Sequence, residues 1–330
     1  MSGRSVLITG VGGFVGGHLA RRLADVGDRP SGFGVGAVPP WTANLLEGCW
    51  SGDVLDGDAL AQALAQARPA AIVHLAAQSS GAASFEHPVE TFHANAVGTL
   101  TLLEQVRRHC ATARVLVVST GEIYGPQPPG TRVGEASAFR PVSPYALSKA
   151  VADTIAETCG RMWSLDVVRV RAFGHFGPGQ SDRFFVPSLA RQIAELEAGG
   201  GEEPIRVGNL DVTRDLTDVR DVVEAYRALL DRGSRGAAYN VCRGFGVTLA
   251  DLAEAMIGRA RVPARIERDP ARVRPADIPH LVGDPTAVHA ATGWKPHIPI
   301  ERTLDEVLDE WRSSVGAGST PAVQPPKPAP

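Results

Sequence analysis

PYALSKA, residues 144–150, places Tyr145 and Lys149 four residues apart. On a helix that spacing puts both side chains on one face, and Pro144 suits the helix's first turn. An ammonium beside a phenol favours the phenolate and lowers the tyrosine pKa. The hydroxyl can then exchange a proton with an alcohol or sugar oxygen near neutral pH. All but three of the 33 basic residues are arginine, the other two lysines being Lys295 and Lys327. A chain that avoids lysine keeps one here. One strand and one loop earlier, VVSTGEIYG brings Ser119, Thr120 and Glu122 to the carboxyl end of an apolar run, where α/β sheets place ligands. Thr120 can hydrogen-bond the oxygen that Tyr145 protonates. Glu122 reads either as a base that removes a proton next to a keto group or as a surface acid at a strand end.

A second chemical feature lies near the N-terminus. LITGVGGFVGGHLA carries Gly10, Gly13 and Gly16 in the pattern GxxGxxG, after a strand-like run and before a helix-like one. Glycines there permit a tight turn and close approach of backbone to a pyrophosphate, and the helix N-terminus supplies amides. This predicts a dinucleotide site. An NAD site ends its second strand with Asp or Glu, but here the region reads SGFGVGAVPP. The missing acid favours NADP(H); the missing arginine leaves NAD(H) open. Asp53, after the third strand, suits the adenine amine, with a helix cap as the plain alternative.

These groups need a scaffold. SVLIT, AAIVHLAA, RVLVVST and LDVVRVRAF alternate with helix-like stretches, which predicts an α/β chain with a Rossmann-type doubly wound parallel sheet. We expect a dinucleotide-binding domain over 1–172, with later segments returning to it. A smaller mixed α/β substrate domain is expected over 173–314, with amphipathic helices at 186–198 and near 219–231 and 248–260. The Ser/Gly/Ala/Pro-rich end predicts a disordered tail over 315–330. A net charge of −3 without charge runs argues against a nucleic-acid partner. No apolar run reaches membrane-span length. The N-terminus runs straight into a strand, so a cytoplasmic protein is expected. Cys49, Cys110, Cys159 and Cys242 are scattered, which predicts neither a metal site nor a disulfide framework.

The glycine motif, HLAAQSS (74–80), Asn95 in ANAVGTL, STGEIYG and SPYALSKA together resemble the extended short-chain dehydrogenase/reductases that act on nucleotide sugars. The match runs over about residues 4–312. It implies Tyr145 as acid/base, Lys149 as the partner holding the nicotinamide ribose, and Thr120 as the third member. It also implies cofactor contacts from Phe14, Val15, Val54, Leu75, Ala76 and Ala77, and substrate contacts from Gln78, Ser79, His175 and Val186. In the second half, GNLDVTRDL and RPADIPHLVGD are similar to family members acting on GDP sugars. They imply that Arg214 and Arg274 clamp the diphosphate, with Asn209 and Asp277 near the nucleotide. Gly174 stands where the family usually has a substrate-contacting asparagine, which puts sugar orientation in doubt. The resemblance implies NAD(P)H-dependent reduction of the C4 keto group of a GDP-4-keto-6-deoxyhexose to a GDP-6-deoxyhexose such as GDP-D-rhamnose. A GDP-mannose 4,6-dehydratase or related epimerase, with tightly bound NAD(P)+, is the alternative that Thr120 and Glu122 keep open. A regulator that binds the dinucleotide without chemistry is the remote one, since such proteins often lose the tyrosine or lysine. The resemblance also implies a homodimer, with a tetramer as the variant, paired through helices near 92–109 and around Tyr145.

Overall fold

Aliphatic runs without polar alternation must be covered on both faces, and a parallel sheet between helices meets that need. The computed structural model describes residues 3–199, 203–273 and 277–317. Its first half alternates: β1 (Ser5–Thr9), α1 (Phe14–Asp25), β2 (Arg29–Gly34), the single turn α2 (Pro40–Ala43), β3 (Cys49–Ser51), α3 (Gly57–Ala67) and β4 (Ala71–His74). Short helices α4 (Gly81–Glu86) and α5 (Pro88–Phe92) and a π-helical turn at His93–Val97 lead into α6 (Gly98–His109). β5 (Arg114–Thr120), α7 (Pro144–Met162) and β6 (Asp166–Ala172) follow. Next come β7 (Gly174–Phe176), α8 (Phe185–Glu197), β8 (Ile205–Val207), β9 (Thr213–Arg214), β10 (Leu216–Asp218), α9 (Val219–Arg232) and β11 (Ala238–Val241). The chain then forms β12 (Val247–Thr248), α10 (Leu249–Ile257), β13 (Ile266–Arg268), β14 (His280–Leu281), α11 (Thr286–Thr292) and α12 (Ile300–Gly316).

Seven strands form one parallel sheet in the order β11-β6-β5-β4-β1-β2-β3. The order reverses between β1 and β4, and ligands bind outside the strand ends at such a switch point. Neighbouring residues on a strand face opposite sides. Val6 and Ile8 therefore pack with Leu19, Val222 and Leu229 under α1 and α9, while Leu7 packs with Phe33, Leu60 and Leu102 under α3 and α6. Each fully buried aliphatic side chain contributes about 1.5–3 kcal/mol. β11 reaches the sheet from far along the chain, pairing Ala238–Val241 with Arg169–Ala172.

A third core joins α8, α10 and α12 through Leu189, Ile193, Met256, Leu304, Leu308 and Trp311. Small sheets beside it pair β7 with β10, β9 with β12 and β14, and β8 with β13. α12 continues through Gly316, past the start expected for a disordered tail at 315. Ser314 is buried and Val315 packs on the third core, so tertiary packing extends the helix into residues of tail-like composition. Positions 318–330 of that expected tail lie outside the described residues, as does Arg274. No helix among the described residues is long and apolar enough to cross a membrane.

Candidate functional site

A cleft of about 1320 Å³ opens at the carboxyl ends of the central strands. The glycine loop forms its floor. Gly10 has φ +74°, its N–H donates to the Phe33 carbonyl at 2.7 Å, and a Cβ there would lie 2.8 Å from the Ala76 nitrogen. A Cβ at Gly16 would lie 2.6 Å from the Gly10 carbonyl oxygen, so helix and loop touch backbone to backbone. α1 starts at Gly13 without a side-chain cap, leaving first-turn amides for a ligand. This side-chain-free cradle fits a pyrophosphate. Phe14, Val15, Val54, Leu75, Ala76 and Ala77 line the same cleft. At the end of β2 the wall is Gly34 and Val35, with neither acid nor arginine. Asp53 also lines the cleft, and its Oδ1 accepts the Leu55 N–H at 2.9 Å. The cap of α3 is Asp56, which accepts from Asp58 and Ala59. The alternative of a helix cap at Asp53 is therefore corrected, because the helix begins one turn later.

Thr120, Glu122, Tyr145 and Lys149 meet at the centre of the cleft. Ser143 starts α7, its Oγ accepting the Ala146 N–H at 3.1 Å with Pro144 in the first turn. Tyr145 and Lys149 then project one turn apart. The Ser119 hydroxyl donates to the Lys149 carbonyl at 3.0 Å, tying α7 to the end of β5. Lys149 Nζ donates to the Val118 carbonyl at 2.5 Å. Burial lowers the lysine to about 8, against an upward pull from Asp153. Tyr145 departs from the sequence expectation: its pKa is raised, not lowered. Burial dominates, the Glu122 carboxylate adds to it, and a hydrogen bond with Thr120 opposes both. The ammonium is engaged with a backbone carbonyl, and the phenol stays protonated at neutral pH. Thr120 Oγ1 also accepts the Glu122 N–H at 3.2 Å, which fixes the turn between them.

A buried ion network behind α7 holds this helix in place. Asp153 accepts from Arg169 at 2.8 Å and from Arg171 at 3.0 and 3.1 Å, and all three side chains are buried. Arg171 also donates to the Tyr124 hydroxyl at 2.9 Å, which donates to Asn240 Oδ1 at 2.8 Å. Charges so buried are held by each other and by hydrogen bonds.

The far end gathers Gln78, Ser79, Gly174, His175, Val186, Asn209, Arg214 and Asp277. Asn95, on the π-helical turn, holds Gln78: its Oδ1 accepts the Gln78 N–H at 2.8 Å and its Nδ2 donates to the Ser148 hydroxyl at 2.9 Å. His175 stacks on Phe14 at 6.3 Å and shares a 2.9 Å hydrogen bond with the Phe173 carbonyl; burial lowers its pKa. Arg214 donates to Asp277 at 2.6 Å, and Asp277 accepts from Asn209 at 3.2 Å. These three expected nucleotide residues thus form one chain of contacts; the expected second clamp, Arg274, lies outside the described residues. At Gly174 a Cβ would lie 2.6 Å from Leu216 Cδ2, so the leucine fills the space a larger residue would need. Arg183, Arg206, Arg272, Leu216 and Tyr226 line the cleft as well. Sequence reasoning missed them: the arginines sit in no motif, in a chain where arginine is the usual base. Among the described residues no three metal-ligating side chains come together.

Comparison with known proteins adds independent findings. The family pattern described as GDP-mannose 4,6 dehydratase matches residues 7–307. The GDP-6-deoxy-D-mannose reductase of Pseudomonas aeruginosa is 36% identical over 311 residues, covering 94% of this chain and 98% of its own. A GDP-mannose 4,6-dehydratase of Vibrio cholerae is 28% identical, covering 93% of each. The solved structure of RMD from Pseudomonas aeruginosa complexed with NADPH is similar at a TM-score of 0.80 and 33% identity, covering 94% of this chain and 99% of that one.

Proposed function

The chain belongs to the GDP-mannose 4,6 dehydratase family, and on that premise we propose that it reduces the C4 keto group of a GDP-4-keto-6-deoxyhexose with NAD(P)H. The observation that carries this reading is the meeting of Thr120, Tyr145 and Lys149 in one cleft, on the end of β5 and the first turns of α7, where burial and Glu122 favour the neutral phenol of Tyr145. Reduction of a ketone leaves an alkoxide that needs a proton, and a neutral phenol in a sheltered site can supply it. The glycine cradle of Gly10, Gly13 and Gly16 would hold the dinucleotide pyrophosphate, with Asp53 at the adenine end and Lys149 near the nicotinamide ribose. That cofactor, when bound, supplies the hydride. Tyr145 gives its proton to O4 while Thr120 holds the same oxygen. Arg214, oriented by Asp277, and Arg274 would bind the diphosphate through paired N–H donors, the geometry that suits arginine. The relative of known reductase name and the NADPH-bound structural neighbour support the reductase branch and NADP(H). NADPH consumption with GDP-4-keto-6-deoxymannose tests the proposal, and no turnover of any GDP-4-keto sugar would sink it.

A dehydratase reading also has an observation behind it. Glu122 shares one pocket with Tyr145 and Arg214, where a carboxylate could take a proton beside a keto group. Glu122→Gln separates the two. A reductase keeps most of its kcat, within about threefold, whereas a dehydratase that uses this base loses on the order of 10²–10⁴. Formation of a keto product from GDP-mannose without added reductant would favour the second reading.

The reading includes a homodimer in the cytoplasm. Val97, Leu100 and Leu147 are exposed on the π-helical turn, α6 and α7, apolar surface that a second copy would cover. All four cysteines are free thiols, as in a reducing compartment. Sedimentation as a single 34.7 kDa chain would rule out the dimer.

A further inference from the structure

On the proposed reading Thr120 and Tyr145 must reach one oxygen, yet they stand on different elements. Thr120 ends β5 and caps the 3₁₀ turn Gly121–Tyr124, which also carries Glu122. Tyr145 lies in the first turn of α7. The separation of that turn from that helix sets the geometry of the pair. Reacting groups misplaced by about 1 Å can lose about 10²-fold in rate. Ahead of the turn the tie is Ser119, whose hydroxyl donates to the Lys149 carbonyl at 3.0 Å. A single tie there would leave the turn free to swing on it.

A second tie holds the other end. Tyr124 closes the turn and is 0% exposed. Its hydroxyl donates to Asn240 Oδ1 at 2.8 Å and accepts from Arg171 Nη1 at 2.9 Å. Arg171 also donates through Nε and Nη2 to Asp153, which stands one turn past Lys149 on α7. The same Nη1 donates to the Glu135 carbonyl at 2.7 Å, in the segment whose Arg140 N–H holds the Ile123 carbonyl at 2.8 Å. One planar guanidinium therefore joins the helix, the turn and the segment behind the turn, a reach that lysine's single ammonium lacks. It is seated over the Phe139 and Tyr124 rings, at 4.8 and 5.5 Å. Burial pushes the Tyr124 phenol up to about 12, so the hydroxyl keeps its proton and the link does not switch near neutral pH. Packing alone needs only the ring, which stacks with Phe173; a phenylalanine would serve. The hydroxyl is what connects the turn to α7.

We propose that Tyr124 and Arg171 are positioning residues: together with Asp153 they brace the Thr120–Glu122 turn against α7 and so fix Thr120 relative to Tyr145. This rests on the reading of Tyr145 as proton donor. The test is steady-state kinetics of the full chain and its Tyr124→Phe variant, with NADPH and GDP-4-keto-6-deoxymannose. The variant should lose kcat on the order of tenfold. KM and the NADPH affinity from titration should not move, the mark of a loss confined to the transition state. The pH profile should keep its shape, because the brace carries no titrating group near neutrality. Tyr239→Phe is the control. It makes the same change on β11, where the hydroxyl accepts the Ser234 N–H at 3.0 Å outside this network, and it should keep full kcat. A lower melting temperature with unchanged kcat in Tyr124→Phe would overturn the proposal and mark a packing role alone. A parallel loss of NADPH affinity, or an equal loss of kcat in Tyr239→Phe, would overturn it as a general weakening of the fold. If the unaltered protein reduced no GDP-4-keto sugar, the proposed function would fall first, and this inference with it.

Discussion

The two ends of the cleft are built in opposite ways. The end proposed for the dinucleotide comes mainly from one continuous stretch, β1, its loop and the start of α1, and offers backbone: Gly10 against Ala76, Gly16 against Gly10, and a first turn of α1 that no side chain caps. The end proposed for the sugar nucleotide is assembled from separated segments, and its polar groups are side chains, Asn209, Asp277 and Arg214, bonded to one another. A backbone cradle admits few substitutions, because almost any added carbon collides. A side-chain pocket is rewritten through groups that can move or change together: at Gly174 an added Cβ would meet the end of the Leu216 side chain. On the proposed reading, selection among substrates would fall to the second end.

Three experiments probe that contrast. The largest effect is expected at the seam between the two ends. Tyr145→Phe should lower kcat by about 10²–10⁴, the usual contribution of a positioned proton donor, while titration shows both ligands still binding. Loss of either ligand's binding would show that the seam is structural. Next, Arg214→Met should raise KM for the sugar nucleotide by roughly 10- to 100-fold, as expected for a lost charge-assisted contact. NADPH affinity should not move; a parallel loss of NADPH would mean that the ends are not separable. The smallest effect concerns pH. Lys149 is depressed to about 8, so its ammonium is present below that value and lost as pH rises through it. NADPH binding should then weaken by about tenfold on the alkaline side, and Lys149→Met should flatten the profile. An unchanged alkaline limb in that variant would assign the titration elsewhere.

The same contrast explains what could be read from sequence. The glycine loop, the end of β5 and the first turn of α7 are local patterns whose geometry follows from spacing, so Gly10, Thr120, Tyr145 and Lys149 could be named and placed in one cleft. The direction of the Tyr145 pKa was not legible. It depends on burial and on Glu122, and the sequence does not show that Lys149 turns to the Val118 carbonyl. Arg183, Arg206 and Arg272 reach the cleft through the fold of the second half, where no periodicity marks them. The Asp153–Arg169–Arg171 network joins a helix to a strand, and each residue alone reads as surface charge. The end of α12 was misread because composition favoured a tail, while Ser314 and Val315 have a core to pack against.

The place of β11 in the sheet has a consequence for how the protein must be made. A ribosome delivers residues in order, so β6 is complete long before its neighbour exists. Until Val241 has emerged, the nascent chain carries a β6 edge with unpaired amides and carbonyls. A product that stops short of that point is an adhesive fragment instead of a cofactor-binding half. Quality control acting on the growing chain therefore has one long interval to guard, between the birth of β6 and the arrival of its partner.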